Sequence, residues 1–264
     1  MPPAVDRDPP RGTGLVAVLW STVSVQVVAT WAMLSVAAIA PLVAGALGVS
    51  TVLIGYQISI MYSMAMLMSL LAGALTQRWG ACRMTQLCAL GCAIGCLLIG
   101  AWPSVISLAL GSVILGLAYG IPNPPSTHLL ARYSRPGNRS FVFSLKQTAV
   151  PIGGVTAGLL TPWLALQYGW NVAVLTLVPL ALAAILALQP RRRVWDDDRV
   201  PGSPLVASSL SGTRQFFGDP ALRALGLCGF CFAPTQVCSM AFIVAMAVAD
   251  LDFDALLAGA LLAT

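Results

Sequence analysis

Glutamate is absent from this 264-residue chain, and lysine and histidine occur once each, as Lys146 and His128. Only 9% of the residues are charged and mean hydropathy is +0.86. Each shortage excludes something. So little charge excludes an ordinary water-soluble domain. An intramembrane enzyme would need a nucleophile with its base, paired carboxylates or a metal cluster, and one peripheral His, no Glu and no Asp within a span argue against it. No catalytic residue, metal ligand or cofactor site is therefore expected. A GxxxxGK[ST] phosphate loop is also missing, so an ATP-driven pump would need another chain. His128 lies among Pro125, Ser126 and Thr127, where a solvated or capping histidine is the ordinary outcome. Nucleic acid is not expected as a partner, because the Arg191–Arg193 run is followed at once by Asp196–Asp198. The net charge of +5 instead suits loops facing an anionic membrane surface.

What is present is apolar length. Apolar stretches fall at 14–40, 52–75, 84–101, 104–124, 141–166, 170–189 and 221–249, and another begins near Ala255. Seven of them reach or approach the roughly 20 residues that span a bilayer core. Threading the chain back and forth gathers Arg7, Arg11, Arg78, Arg83, Arg132 and Arg135 with Arg139, Arg191–Arg193, Arg199, Arg214 and Arg223 on one side. Lys146 lies towards that side, and the opposite connectors carry only Asp. Basic loops stay in the cytoplasm. The chain is thus expected to be an all-α polytopic protein of the bilayer, in a bacterial inner or plasma membrane, with its N-terminus inside. The first apolar run is about twice as long as a signal-peptide core and is preceded by Asp6 and Asp8, so it reads as a true first span.

The expected organisation is a cytoplasmic tail over 1–13, a six-span bundle over 14–189, a polar cytoplasmic linker over 190–220, and the start of a second bundle over 221–264. Connections 1–2, 3–4 and 5–6 read as tight, whereas 2–3 and 4–5 read as longer and basic, with Cys82 in the loop. Ala255–Thr264 is about 15 Å of helix, half a crossing, so a truncated chain is expected. Gly116 with Gly120 and Gly154 with Gly158 form GxxxG pairs, and Pro122, Pro124, Pro125 and Pro151 interrupt spans 4 and 5. These spans should be bent and closely packed. Cys88, Cys92 and Cys96, interleaved with Gly91 and Gly95, make a small-residue packing face, and Cys228-x-x-Cys231 is also expected to pack.

The run Gly73-Ala-Leu75-Thr-Gln77-Arg78-Trp-Gly80-Ala81-Cys82-Arg83 resembles the loop signature G-x-L-x-D-R-x-G-R-R of the major facilitator superfamily, at its expected place after the second span. Gly73, Leu75, Arg78 and Gly80 match. Gln77 stands at the acidic position, Ala81 and Cys82 at the basic ones, and Arg83 comes one place later. The resemblance implies a conformational latch built from Gly73, Arg78, Gly80 and Arg83. Phe143–Gly154 with Gly158 and Tyr168-Gly169-Trp170 resembles the fifth span of bacterial members. Pro151 stands two residues before Gly153-Gly154, where the family's antiporter signature has three. Ser112 occupies the place of an arginine that many proton-coupled members carry before the glycine at Gly116. Six spans, a long inner linker and further spans is also the layout of a two-half carrier.

The function this implies is a secondary carrier of a small solute working by alternating access, with the coupling ion left open and an anionic solute as one option, which Lys146 raises. The alternative is a complete seven- or eight-span receptor, channel or assembly subunit, or a non-functional remnant. Candidate substrate contacts follow from polar residues on apolar helices, which should face a cavity or another helix. Thr22, Gln26 and Thr30 form one stripe on span 1, with Asn123 on span 4 and Gln57 on span 2. Gln236 on span 7 is the position related to that stripe. Lys146 is the ionisable side chain placed inside a span, where a cation needs a partner or a task. It could meet an anionic solute, pair within the bundle, or extend its amine to the interface.

Overall fold

The computed structural model of the chain describes residues 14–232 and residue 235, and among these the secondary structure is helical. They fall into two compact units that part between Ser203 and Pro204. The first contains six helices long and apolar enough to cross a membrane: Gly14–Ala38, Thr51–Trp79, Ala81–Ala101, Val105–Tyr133, Pro136–Tyr168 and Trp170–Trp195. These are spans 1 to 6. The tail over 1–13, most of the expected seventh span, Gln236 and the segment from Ala255 lie outside the described residues.

Proline sets where the spans break. A proline removes one backbone donor and its ring clashes with the carbonyl four residues earlier, so the helix yields just before it. Span 1 breaks at Ile39 ahead of Pro41, span 5 at Thr148 ahead of Pro151, and span 6 at Thr176 ahead of Pro179. Span 4 stops at Tyr119 and restarts at Asn123, around Pro122, Pro124 and Pro125. The breaks in spans 4 and 5 were expected; those in spans 1 and 6 extend the same rule. Pro162 sits inside Ala149–Tyr168 without interrupting it.

Glycine sets how closely the spans approach. Span 3 is the most buried of the six, held between spans 4 and 6. A Cβ on Gly91 would lie 2.7 Å from that of Ala118, and one on Gly95 would lie 2.6 Å from the Leu115 side chain. Cys88, Cys92 and Cys96 are buried on the same helix, so the expected small-residue face is a packing face. Gly116 and Gly120 press on the backbone of span 2 at Met61 and Ala65. The second GxxxG pair behaves differently. Among the described residues nothing lies within 4 Å of a Cβ placed on Gly158, and one placed on Gly154 would make an ordinary contact with Leu34 at 3.8 Å. Gly153 carries the contact instead, with its Cβ position 2.6 Å from that of Thr30 on span 1.

The connection between spans 2 and 3 is shorter than the sequence suggests. Span 2 runs on to Trp79 and span 3 starts at Ala81, leaving Gly80 alone as the turn. Gly80 has φ +98, open to glycine and strained for other residues. The basic stretch expected as a loop is helical, and Cys82 is buried in the first turn of span 3. Arginine and glutamine are good helix formers, so polarity alone does not make a loop.

The second unit contains the helices Leu205–Gly218 and Pro220–Phe232. Asp219 caps the second through the Ala221 N–H at 2.8 Å, and the Phe216 ring fills the space beside Gly226. Cys228 and Cys231, expected to pack, are free and exposed.

Candidate functional site

Two breaks in the bundle meet at one hydrogen bond. Lys146 lies in the last turn of the segment Arg139–Gln147, just before the break imposed by Pro151. A cation suits the negative end of a helix segment. Asn123 begins the segment that restarts span 4 after Pro122. The Lys146 Nζ donates to Asn123 Oδ1 at 2.6 Å. Lys146 is 5% exposed. Its side chain is therefore packed within the bundle, against Asn123. Among the described residues no carboxylate lies within ion-pair distance of it.

The stripe on span 1 is buried as well, at Thr22, Gln26 and Thr30. Thr22 spends its hydroxyl on the carbonyl of Val18 at 2.8 Å. Gln26 Nε2 donates to Thr30 Oγ1 at 3.5 Å, the long limit of such a bond, while its Oε1 has no partner among the described residues. Gln57 on span 2 is buried, and neither of its amide atoms has a partner among the described residues. Buried amides without partners are rare in helical bundles, because each unmade bond costs desolvation with no return. The Tyr119 side chain, at the break in span 4, lies beside Thr30, and sequence reasoning did not single it out. Trp31 Nε1 donates to Thr161 Oγ1 at 2.8 Å and ties span 1 to span 5. Of the candidate contacts, Asn123 and Lys146 thus meet directly, Gln26 and Thr30 meet on one helix face, and Gln236 lies outside the described residues.

A second constellation lies at the basic edge, where spans 2, 4 and 6 end and spans 3 and 5 begin. Asp196 Oδ1 accepts the Cys82 N–H at 2.7 Å, and Oδ2 accepts the Arg83 N–H at 3.2 Å. The carboxylate thus closes the positive end of span 3 from the far end of span 6. A Cβ at Gly80 would collide with that carboxyl group. Burial pushes the Asp196 carboxyl above the usual carboxylate range, and the two backbone N–H groups pull the other way without cancelling it. Its neighbours continue the clasp. Arg132 holds Asp197 through two bonds at 2.6 and 3.0 Å, and His128 Nε2 meets Asp198 Oδ2 at 2.7 Å. The Val200 N–H then bonds the carbonyl of Gln77 at 2.8 Å.

This clasp was missed from sequence, although one signal existed: a third of the chain's acidic residues sit together as Asp196–Asp198. Of the expected latch residues, Gly80 makes the turn and Arg83 gives its backbone N–H to Asp196. The Arg78 side chain forms no ion pair among the described residues. Gly73 has open space where its Cβ would be.

Comparison with known proteins places this arrangement. The sequence profile of the Major Facilitator Superfamily matches residues 21–264. A gallate transporter of Pseudomonas putida is 30% identical over a stretch covering 44% of this chain and 28% of that protein. A multidrug resistance protein B homolog of Mycobacterium tuberculosis is 29% identical over 44% of this chain and 21% of its own length. Among solved structures, a mutant of the peptide transporter POT superposes with a TM-score of 0.61 at 16% identity, covering 91% of this chain and 52% of that one. The same transporter bound to alafosfalin gives 0.59 at 18% identity, over 91% and 51%. The chain therefore spans under a third of the curated relatives it matches and about half of the solved transporters, which share its fold. Six spans bent at prolines, the glycine turn after the second, and the profile match lead to one assignment: this chain belongs to the Major Facilitator Superfamily.

Proposed function

We propose that the six-span unit is one half of a secondary carrier for a small organic anion, working by alternating access with a second half of comparable size. The observation that carries this reading is Lys146: a buried cation between two helix breaks, with one neutral oxygen as its partner. A cation inside a span is costly on its own, by about 2.5–3.5 kcal/mol at a helix centre, and a carboxylate arriving from the aqueous phase would supply the missing charge. Gln26, Thr30 and Asn123 would then orient the rest of the solute, with Gln236 contributing from the second half. Spans 4 and 5 break at Ile121 and Thr148, as the discontinuous helices of carriers do. The gallate transporter among the relatives makes aromatic carboxylates the first probes to try. In this reading the basic edge faces the cytoplasm of a bacterial cell.

The test is uptake of gallate and benzoate, against neutral benzyl alcohol, by cells expressing the intact gene product. Lys146→Gln is expected to lower carboxylate uptake about tenfold or more and to leave the neutral solute unchanged, while Lys146→Arg keeps part of the carboxylate flux. Equal losses for charged and neutral solutes would remove Lys146 from the solute's path. No carboxylate flux in the unaltered protein would overturn the choice of anion.

A further inference from the structure

Four arginines at the basic edge surround a groove of about 600 Å³ between the ends of spans 2 and 6 and the start of span 3. They are Arg78, Arg83, Arg192 and Arg199, and no acidic side chain lines the groove. Arg192 touches Asp196 only at 3.9 Å, and both oxygens of that carboxylate already accept backbone N–H groups. Arg78, Arg83 and Arg199 have no carboxylate within ion-pair distance among the described residues. The neighbouring acids are engaged elsewhere, Asp197 by Arg132 and Asp198 by His128. Asp196 is the acidic neighbour of Arg192 and Arg199, so the four guanidinium groups together carry a surplus of positive charge, and the groove suits an anion.

The walls tell which anion. Descending span 3 from the edge, Arg83 is followed on the same helix face by Leu87 and Leu90, at steps of four and three residues. Descending the opposite wall, Gln189 is followed by Ile185 one turn deeper. Gln86 bridges the two helices, donating to Gln189 Oε1 at 2.8 Å and to the Ile185 carbonyl at 3.2 Å. Both walls thus pass from polar to apolar in the direction of the membrane interior. Leu90 and the Trp79 ring are exposed on the bundle surface, where a span meets lipid. A free phosphate or a nucleotide would use the arginines and leave the apolar descent unused.

We infer that this groove is a binding site for an anionic phospholipid, its phosphodiester among the four arginines and an acyl chain along Leu87, Leu90 and Ile185. Basic pockets between membrane helices on one face suit such headgroups. The site lies on the outer surface of the first unit and stands apart from Lys146, so it holds whatever solute is carried. Because the same loop forms the turn at Gly80, a bound headgroup would also brace the junction of spans 2 and 3.

The test uses the intact chain purified in a neutral detergent, offered phosphatidylglycerol or phosphatidylcholine, with retained lipid read by native mass spectrometry. Phosphatidylglycerol is expected to be retained about tenfold more tightly, and Arg192→Gln with Arg199→Gln to remove that preference. Arg135→Gln with Arg139→Gln, the same charge change outside the groove, should keep it. Where the glutamine pair fails to fold, Arg192→Lys with Arg199→Lys keeps the charge and is expected to keep the preference. Equal retention of the two lipids, equal loss in both glutamine pairs, or loss in a folded lysine pair would overturn the proposal. Displacement of phosphatidylglycerol by millimolar inorganic phosphate would also overturn it, as a soluble-anion site.

Discussion

The basic edge and the interior of the first unit handle polar groups in opposite ways. At the edge each of three consecutive aspartates has found a partner on another span: Asp196 two backbone N–H groups, Asp197 a guanidinium, Asp198 an imidazole. In the interior several polar groups are under-used. Gln57 has no partner among the described residues, Gln26 keeps one atom idle, and Lys146 has one neutral acceptor. Folding alone would favour the reverse, since an unmet polar group costs more in a dry interior than at a wet edge. The edge is therefore arranged to hold the spans together, and under the proposed function the interior keeps bonding capacity for the solute. Substitutions in the two regions should separate stability from transport.

The largest loss of stability is expected at the edge, from Gly80→Ala. The new methyl group would collide with the Asp196 carboxyl, and alanine would have to adopt φ +98. Strain at such a position and loss of the two capped N–H groups together amount to on the order of 3 kcal/mol or more. The melting temperature in detergent should fall sharply. Gly73→Ala, with open space at its Cβ, should leave it unchanged. Equal melting of the two variants would mean that the edge does not clasp the bundle.

A smaller loss is expected where spans 1 and 5 meet. Gly153→Leu would push Thr30 and the Val27 carbonyl away from span 5, an overpacking that costs about 1–3 kcal/mol. Gly158→Leu should fall within about 0.5 kcal/mol of the unaltered chain, because nothing lies within 4 Å of it. Thermal unfolding of both variants checks the pair. If Gly158→Leu were the more damaging, the contact face of span 5 would be the GxxxG face after all.

These two pairs also mark where sequence reading stops. Six spans, the breaks at Pro122 and Pro151 and the cysteine face of span 3 were legible, because hydropathy, the missing proline N–H and residue size act locally. The partner of a glycine was not. Gly153, Gly154 and Gly158 differ only in the direction they face, and direction is set by the neighbouring helix. Lys146 and Asn123 were separately legible as polar residues in apolar surroundings, and their meeting depended on two breaks falling at one level. The Asp196 clasp was hidden for another reason. Its acceptors serve backbone N–H groups 113 and 114 residues away, and a backbone donor has no signature in sequence.

In the interior, Lys146→Met is expected to separate the two properties. Methionine keeps the side-chain length and removes a charge that has one neutral partner. The melting temperature should hold or rise, since the desolvation of the amine is relieved, while carboxylate uptake falls. A stability loss comparable to that of Gly80→Ala would make Lys146 a structural pin and erase the contrast with the edge.

The smallest effect, and the sharpest on the edge itself, concerns Asp196. Its carboxyl sits above the usual range because burial outweighs its bonds, so the folded chain binds a proton there more readily than the unfolded chain. Stability from this group is thus complete below the ordinary carboxylate value and is lost as pH rises through the raised one. Asp196→Asn keeps an acceptor for the Cys82 N–H and removes the titration. Between neutral pH and the ordinary carboxylate range the unaltered chain should gain stability relative to Asp196→Asn, read as a converging or crossing pair of melting curves. A steady loss relative to Asp196→Asn on acidification would instead mean that the ionised carboxylate stabilises the turn, and that charge as well as hydrogen bonding holds the edge.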